Sequence, residues 1–296
     1  MLVLSLFPGI GLLDHAFELE GFCVVRGPDL LWGGDIRNFH PTANRFNGII
    51  GGPPCQDFSR ARRNIPPTGN GEAMLLEYAR VVTEAQPQWW LLENVERTPN
   101  VSVPGYITHR IDLNALECGS NQNRLRHFQF GSLSGITLTP KRDAPGGSYA
   151  PCVTATEGKR SNRRDWPDFC ALQGLPRDFT LPGFTVEEAY RAVGNGVPIP
   201  LGRRIAQAIK SAMRDSSMVH SCDAALHHNC EPAAQSQIRD LAMSHNRDAA
   251  IVELPLCACG CGRQLTGRSD KKCATPGCRK RLEMSRKRPR KIIQYP

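Results

Sequence analysis

Short apolar segments alternate with segments of helical periodicity along the first third of this 296-residue sequence. The short segments predict strands, and the segments with apolar residues every three or four positions predict helices. Strands that alternate with helices indicate an α/β domain whose parallel sheet is covered on both faces. The strands are predicted at Leu2–Phe7, Phe22–Val25, Gly48–Gly51 and Trp89–Leu92, and the helices at Leu12–Glu20 and Glu72–Ala85.

Residues with chemical or conformational roles follow three of these strands directly. Phe7-Pro-Gly-Ile-Gly11 follows the first strand, Pro53-Pro-Cys55 the third and Glu93-Asn-Val95 the fourth. The carboxyl ends of parallel strands share one edge of a sheet, so these segments are expected to line one crevice. Taken singly, each has an ordinary structural explanation: a steric turn, an inert buried thiol and a capping carboxylate. The expectation of a site depends on their combination.

Six short motifs occur in a fixed order over residues 1–210. They are Phe7-x-Gly-x-Gly11, Gly52-Pro-Pro-Cys-Gln56, Glu93-Asn-Val95, Gln122-x-Arg-x-Arg126, Leu172-Gln-Gly-Leu-Pro176 and Gly194-Asn-Gly-Val-Pro198. Their types and order resemble the motif series of the DNA (cytosine-5)-methyltransferases. The resemblance implies a Rossmann-like lobe that binds S-adenosylmethionine and a small lobe that contacts double-stranded DNA. On this basis residues 1–213 are assigned to a methyltransferase domain.

The cysteine of the second motif is suited to nucleophilic attack. C5 of cytosine is too electron-poor to accept a methyl cation unaided, so a nucleophile must first add to C6, and a thiolate can both add and leave. The resemblance gives this role to Cys55, whose position is fixed by the two prolines before it. A thiol with a pKa near ~8.5 must be held as thiolate by its surroundings or lose its proton to a base during attack.

The charge displaced by this attack requires an acid and a cation. The resemblance assigns to Glu93 the hydrogen bonds to N3 and to the exocyclic amine of the base, a role that suits a buried carboxyl with a raised pKa. It assigns to Arg126, with Arg124 nearby, the positive charge close to O2.

The methyl donor is expected at the turn after the first strand and at the Asn-Gly-Val segment of the last motif. Glycine lets the backbone approach the methionine part of the donor, and Phe7 can pack on its adenine. Asp35 matches the family's acid for the adenine amine, and Asp29 stands where the family has a glutamate for the ribose, in a segment that has lost a helix. The residues assigned to the donor are Phe7, Gly9, Gly11, Asp29, Asp35, Pro53, Asn195 and Val197.

The region that reads the DNA sequence in this family is abbreviated here to residues 131–164. Within it, Pro151-Cys-Val-Thr154 resembles framework, which leaves little length for a reading loop. This compactness resembles the methyltransferases carried by bacteriophages and implies a short target site or outside help. The side chains available for base or phosphate contacts, with simple solvation as the alternative, are Lys159, Arg160, Arg163 and Arg164.

A connector of low periodicity, residues 214–256, precedes a Cys-rich and basic segment, residues 257–296. This segment holds twelve of the 37 Lys and Arg but only two of the 28 acidic residues, a pattern typical of nucleic-acid contact or of a solvated tail. Its two cysteine clusters resemble a small zinc ribbon, in which four thiolates complete a tetrahedral site; unliganded thiols are the alternative. The predicted zinc ligands are Cys261, Cys273 and Cys278, with Cys257 or Cys259 as the fourth.

Cysteine usage and apolar run lengths indicate the compartment. The twelve cysteines are unevenly spread, and the apolar start Met1–Phe7 lacks the basic residues and cleavage pattern of a secretory signal. No apolar run reaches the ~20 residues of a membrane helix. The expected setting is the reducing cytoplasm of a bacterium or phage-infected cell, without a membrane partner and with a monomeric protein.

The function predicted from the sequence is methyl transfer from S-adenosylmethionine to C5 of cytosine in DNA, through a covalent adduct between Cys55 and C6 of a flipped base, in a restriction-modification setting. Two alternatives stay open. The same fold could act on RNA or on a modified cytosine, or the domain could be inert while the zinc-ribbon-like tail binds DNA. The intact Cys55 and Glu93 favour an enzyme.

Overall fold

The structure is a computed structural model that describes residues 1–59, 66 and 68–226, with side chains described as far as residue 215. Backbone contacts divide the chain into two units, one of which contains Met1–Arg214. All strands of the described residues, and the segments predicted to line the crevice, fall in that unit.

Eight strands are present in the described residues: Leu2–Leu6 (β1), Cys23–Arg26 (β2), Gly48–Gly51 (β3), Trp89–Asn94 (β4), Ile107–Asn114 (β5), Gln122–Asn123 (β6), Leu125–Ser132 (β7) and Ala150–Pro151 (β8). Six of them form one sheet in the order β2-β1-β3-β4-β7-β5, and β6 pairs with β8. Strands β2, β1, β3 and β4 are mutually parallel, whereas β7 is antiparallel to both its neighbours. The four strands predicted from the sequence are thus parallel, as expected. Strand β7 is antiparallel to β5 because the connecting residues 115–124 are too few for the crossover that parallel neighbours require.

Five α-helices are present in the described residues: Leu12–Leu19 (α1), Asn70–Ala85 (α2), Trp166–Leu172 (α3), Val186–Asn195 (α4) and Ile199–Leu226 (α5). The predicted starts and ends of α1 and α2 lie within two residues of those observed. None of the helices in this part of the chain combines the length and the apolar composition that crossing a bilayer requires.

The sheet separates two apolar layers because successive side chains of a strand point to opposite faces. On one face Val3 belongs to a buried cluster that includes residues of α1 and α5. On the other face Leu4 and Leu6 belong to a cluster that includes residues of α2. A third cluster combines residues of α3 and α4 with residues from the start of α1.

Helices α1 and α5 join the start of the unit to its end. Phe17 of α1 and Ile205 of α5 are both fully buried in the same cluster. At the end of α1, a carboxylate oxygen of Glu20 accepts hydrogen bonds from Arg203 at 2.7 Å and from Gln207 at 3.0 Å. The covered face of α1 therefore depends on residues about 185 positions later in the chain.

Two adjacent tryptophans in the central strand β4 each lie over a glycine of a neighbouring strand. Trp89 is paired with Gly48 of β3, and Trp90 is paired with Gly131 of β7. A Cβ atom at Gly48 would lie 2.2 Å from the Trp89 ring, and one at Gly131 would lie 2.3 Å from the Trp90 ring. Both indoles are fully buried, so neither ring has room to move aside.

We expect Gly48→Ala to lower the free energy of unfolding by at least about 2 kcal/mol, because overpacking forces buried side chains off their rotamers. Urea denaturation followed by circular dichroism measures this change. Gly146→Ala is the matched control, since no atom lies within 4 Å of its Cβ position, and its effect should stay within about 0.5 kcal/mol. Equal effects of the two substitutions would contradict the packing argument.

The connection between β2 and β3 contains no α-helix. Residues 27–47, all of which are described, hold only two single 3-10 turns, at Leu30–Trp32 and Ile36–Asn38. This agrees with the shortening expected from the sequence. The side chains that would otherwise come from a helix must be supplied by these turns.

Candidate active site

The three segments predicted to share a crevice leave neighbouring strands of the sheet. Strands β1, β3 and β4 are adjacent and parallel, with Leu6 opposite Gly51 and Gly51 opposite Leu92. The turn after β1, the Cys55 loop after β3 and the end of β4 therefore meet at one edge. Catalytic groups of α/β proteins commonly occupy this edge.

The Cys55 loop is fixed to the end of β4 by a side-chain amide. Nδ2 of Asn94 donates to the carbonyl oxygen of Pro53 at 3.0 Å, and Asn94 is itself buried. The carbonyl of Cys55 accepts from the backbone N–H of Phe58 at 3.0 Å, which closes a turn. The half-buried thiol therefore stands on a short loop held on both sides.

A second contact joins this loop to the start of α2. The carboxylate of Asp57 accepts hydrogen bonds from the backbone N–H of Thr68 at 3.0 Å and from that of Gly71 at 2.9 Å. Sequence reasoning did not assign a role to Asp57 or Asn94. Asn94 lies within the third motif and Asp57 directly follows the second, but only the fold reveals which backbone groups they bind.

Glu93 lies beside the Cys55 loop and is paired with Arg126. Its side chain is buried, and Oε1 is 3.1 Å from Nε of Arg126. A Cβ atom on Gly52 would lie 3.1 Å from Oε2 of Glu93, so a glycine at this position lets the carboxylate approach the loop. Burial raises the pKa of Glu93, and Arg126 and Arg124 oppose that shift.

The surroundings of Cys55 favour the protonated thiol. Burial raises the pKa of Cys55, the negative charge of Glu93 raises it further, and Arg126 and Arg124 lower it by less. The free thiol is therefore mostly protonated at neutral pH. Of the two alternatives left by the sequence, this favours loss of the proton as the thiol attacks.

The guanidinium of Arg124 is hydrogen-bonded to surrounding backbone carbonyls. Its guanidinium is buried and donates to the carbonyl oxygens of Val153 at 2.8 Å, Gly194 at 2.9 Å and Gly196 at 2.9 Å. Burial lowers the pKa of Arg124 to about 10, and Arg126 adds to this. Arg124, which directly precedes β7, therefore joins the start of this strand to two distant segments, and Arg126 is the arginine that pairs with the carboxylate.

Two glutamines complete this internal framework, and sequence reasoning assigned neither of them a role. Gln122 is fully buried, donates to the carbonyl of Leu172 at 2.8 Å and accepts from the N–H of Val153 at 3.0 Å. Gln173 donates to the carbonyl of Val193 at 2.6 Å. Motif residues from three parts of the sequence are thus held together by side chain to backbone bonds.

The turn after β1 has the backbone expected of a ligand cradle. Phe7, Gly9 and Gly11 have φ angles of 55°, 57° and 84°, which is the left-handed region. No atom lies within 4 Å of the Cβ position of Gly9, so there is room for a ligand against the backbone. Asp29 reaches this turn, since its Oδ2 accepts from the N–H of Gly9 at 2.7 Å. These residues fit a bound methyl donor.

The remaining residues assigned to the donor lie in different environments. The carboxylate of Asp35 is paired with Arg37, whose Nη2 lies 2.7 Å from Oδ2. Asn195 is exposed at the end of α4, whereas Val197 is buried in the cluster shared by α1 and α5. Pro53, within the Cys55 loop, is buried.

A buried acid lies beneath the same turn. Asp14 in the first turn of α1 accepts from the hydroxyl of Ser5 at 2.5 Å and from Nε of Arg26 at 3.0 Å. Burial raises the pKa of Asp14 to about 6. The Arg26 guanidinium lies against Gly11, where a Cβ atom would be 2.6 Å from its Nη2.

Ion pairs hold several side chains of the abbreviated reading region, two of them to residues outside it and one within it. Asp143 is paired with Arg204 of α5, with Nη2 2.5 Å from Oδ2. Arg164 donates to both oxygens of the buried Glu157, at 2.8 and 2.7 Å. Lys159 lies 3.0 Å from a carboxylate oxygen of Glu187.

Two of the four basic residues predicted to contact DNA are thus already held by carboxylates. The guanidinium of Arg163 lies over the ring of Tyr190, with its central carbon 5.8 Å from the ring centroid. Arg160 is exposed. Among the described residues, Arg160 is thus the one of the four whose side chain is not seen paired with a carboxylate or lying over a ring.

The predicted zinc ligands, Cys257 or Cys259 together with Cys261, Cys273 and Cys278, lie outside the described residues, so the zinc site stays a prediction. Within the part of the chain that is described, no group of three or more His, Cys, Asp or Glu side chains could hold a metal ion.

Comparisons with known proteins agree with the motif series. A family model for C-5 cytosine-specific DNA methylase matches residues 32–164 and 154–211. Type II methyltransferase M.FnuDI of Fusobacterium nucleatum is 32% identical over an alignment of 336 residues, covering 74% of this chain and 97% of that protein. Type II methyltransferase M.HgiDI of Herpetosiphon aurantiacus is 40% identical over 173 residues, covering 46% of this chain and 53% of that protein. The chain therefore spans about half the length of M.HgiDI.

A solved structure agrees in fold. The Entamoeba histolytica methyltransferase EhMeth superposes with a TM-score of 0.57 at 14% sequence identity, and the match covers 72% of this chain and 98% of that chain. At this level of identity the likeness concerns the fold alone.

Proposed function

The chain belongs to the C-5 cytosine-specific DNA methylase family, and from that premise we propose that it transfers a methyl group from S-adenosylmethionine to C5 of cytosine in double-stranded DNA. The observation that carries this proposal is the Glu93–Arg126 pair, which lies beside the Cys55 loop at the same sheet edge as the glycine turn. An inert thiol would not require a buried acid and a cation next to it.

Cys55 is the nucleophile in this proposal. The target base leaves the duplex, at a cost of a few kcal/mol, because C6 is out of reach inside the stack. The sulfur forms a bond to C6 and gives up its proton to a solvent water acting as base, and the electrons of the C5–C6 double bond move through C4 toward N3. C5 thereby becomes an enamine carbon that can accept a methyl group.

Glu93 and Arg126 stabilise the negative charge that the attack displaces onto the base. Glu93 is a carboxylate in the free site, and its raised pKa lets it take up a proton from solvent when the base binds and give that proton to N3 as the electrons arrive. Arg126 supplies positive charge next to the same carboxyl, and in this proposal it stabilises O2 of the base. Arg124 acts as a positioning residue, because its bonds to three carbonyls hold β7 against the Gly194–Gly196 segment.

The donor binds across the turn of Phe7, Gly9 and Gly11. When bound, it supplies an electrophilic methyl group to C5. Asp29, already at the N–H of Gly9, is the acid available for the ribose. N3 returns its proton to Glu93 as C5 accepts the methyl group. Loss of the C5 proton to a base, with cleavage of the C6–sulfur bond, then restores the aromatic ring and frees Cys55 as a thiolate.

Bisulfite sequencing tests the product and the substrate together, since C5-methylated cytosine resists deamination. We expect DNA from a bacterial host that lacks cytosine methylases to acquire methylated cytosines in one sequence context when it expresses the full chain. A role beside a restriction nuclease further predicts that this DNA resists a nuclease of the same specificity.

A parallel assay with purified chain, labelled donor, DNA and RNA separates the alternatives. Transfer to RNA alone would overturn the DNA assignment. Absence of transfer to either substrate, with DNA binding retained, would favour the binding protein.

A further inference from the structure

A short segment after β2 holds the donor turn from two sides. Oδ2 of Asp29 accepts from the N–H of Gly9 at 2.7 Å, and Nε1 of Trp32 donates to the carbonyl oxygen of Gly9 at 2.6 Å. Both backbone polar groups of Gly9 are therefore bound to a segment of four residues. Gly9 has a φ of 57° and open space at its Cβ position. The Pro8–Gly9 peptide is also held by the N–H of Gly11, which donates to the carbonyl of Pro8 at 2.8 Å. The peptide that follows Gly9 is held at its carbonyl by Trp32.

The ring of Trp32 rests on a different part of the unit. It makes an edge contact with Phe184, with ring centroids 6.2 Å apart, and packs against the cluster formed by α3, α4 and the start of α1. Phe184 precedes α4, which ends at the Asn195 motif. One side chain therefore connects the donor turn to the helices that follow the reading region.

The shortened β2–β3 connection explains why this role falls to a tryptophan. With no α-helix between residues 27 and 47, the 3-10 turn Leu30–Trp32 is the element that reaches the glycine turn. A small side chain on such a turn could not span the distance to the α3–α4 cluster. An indole can, since it offers a large apolar ring and one N–H donor.

We propose that Trp32 is a positioning residue for the methyl-donor site, acting through Gly9 and braced by Phe184. The inference rests on the proposed function, because it concerns the donor of that reaction. Trp32 need not touch the donor. Its N–H fixes the carbonyl of Gly9, and the fixed turn then offers the donor one backbone arrangement instead of several.

Trp32→Phe isolates the hydrogen bond, because it keeps an aromatic ring and removes the N–H. We expect the Kd for S-adenosylhomocysteine, measured by calorimetry on the full chain, to rise about five- to thirty-fold, as for loss of one hydrogen bond to a partly buried group. In methylation assays the KM for the donor should rise to a similar extent, while kcat at saturating donor stays within about twofold.

Trp166→Phe is the matched control. Nε1 of Trp166 donates to the carbonyl of Phe179, also at 2.6 Å, and its ring packs against the same α3–α4 cluster. The indole N–H of Trp166 is therefore bound to Phe179 and not to Gly9. Both variants should lose similar thermal stability, but only Trp32→Phe should lose donor affinity. Equal affinity in the two variants would overturn the inference.

A second measurement uses the unaltered protein, in case Trp32→Phe does not fold. The chain has four tryptophans, and the indole N–H groups of Trp89 and Trp90 have no hydrogen-bond partner among the residues that the structure describes. Their NMR signals should separate from the two bonded ones, and Trp166→Phe identifies its own signal. Addition of S-adenosylhomocysteine should shift the remaining signal, that of Trp32, and an unshifted signal would contradict the proposal. Failure of the unaltered chain to bind S-adenosylhomocysteine would instead count against the proposed function.

Discussion

Replacing Cys55 with alanine should reduce methyl transfer to less than about one thousandth of the unaltered rate, because no adduct at C6 can form without the sulfur. The loss should appear in kcat, measured as single-turnover transfer of labelled methyl groups to DNA. DNA binding should remain, since the loop is also held by Asn94 and by its own turn.

Cys23→Ala provides the control for loss of a thiol. Cys23 is an exposed free cysteine at the start of β2, away from the edge at which the strands end. The methyl-transfer rate of the Cys23→Ala variant should stay within about twofold of that of the unaltered chain. Full methylation by the Cys55→Ala variant would remove Cys55 from the mechanism while leaving the fold and the family unaffected.

Glu93→Gln should slow methyl transfer and at the same time lower the pKa of the Cys55 thiol. Methyl transfer should fall about 10²- to 10⁴-fold, because an amide cannot hand a proton to N3. The thiol should become easier to ionise, because the carboxylate that raises the pKa of Cys55 is gone while Arg126 remains. Alkylation of Cys55 by iodoacetamide, followed by mass spectrometry across a pH series, should therefore show a lower apparent pKa in the less active variant.

Glu157→Gln is the control variant for the alkylation series. Glu157 is also buried and paired with an arginine, Arg164, yet it is not among the charged groups that shift the pKa of Cys55. Its alkylation profile should match that of the unaltered chain. A Glu93→Gln profile that also matches would refute the electrostatic link between the carboxylate and the thiol, and undiminished methylation would refute the acid role of Glu93.

The first four strands of the main sheet could be predicted from the sequence because their signals are local. Strand β3 has the predicted limits, and α1 and α2 deviate by no more than two residues at either end, since apolar periodicity and glycine turns mark these elements. The antiparallel placement of β7 could not be predicted in this way. It depends on pairing with β4, about 35 residues earlier, and no local pattern specifies the partner of a strand.

Of the candidate site, too, only part could be predicted from the sequence. That Cys55, Glu93 and the glycine turn share an edge follows from strand order in an α/β sheet. The bonds of Arg124 to the carbonyls of Val153, Gly194 and Gly196 do not follow, because every residue has a carbonyl and the motif names only the donor. The bond of Trp32 to Gly9 is invisible for the same reason.

The closure of α1 by α5 has a consequence for synthesis on the ribosome. The first helix emerges early, but Ile205 and the donors Arg203 and Gln207 that cover and cap it are translated about 185 residues later. At ordinary elongation rates of roughly 5–20 residues per second, the apolar side of α1 stays uncovered for on the order of ten seconds or more. The nascent chain must therefore keep Phe17 from aggregating with other chains throughout that interval, which makes this helix the natural point of contact for a chaperone.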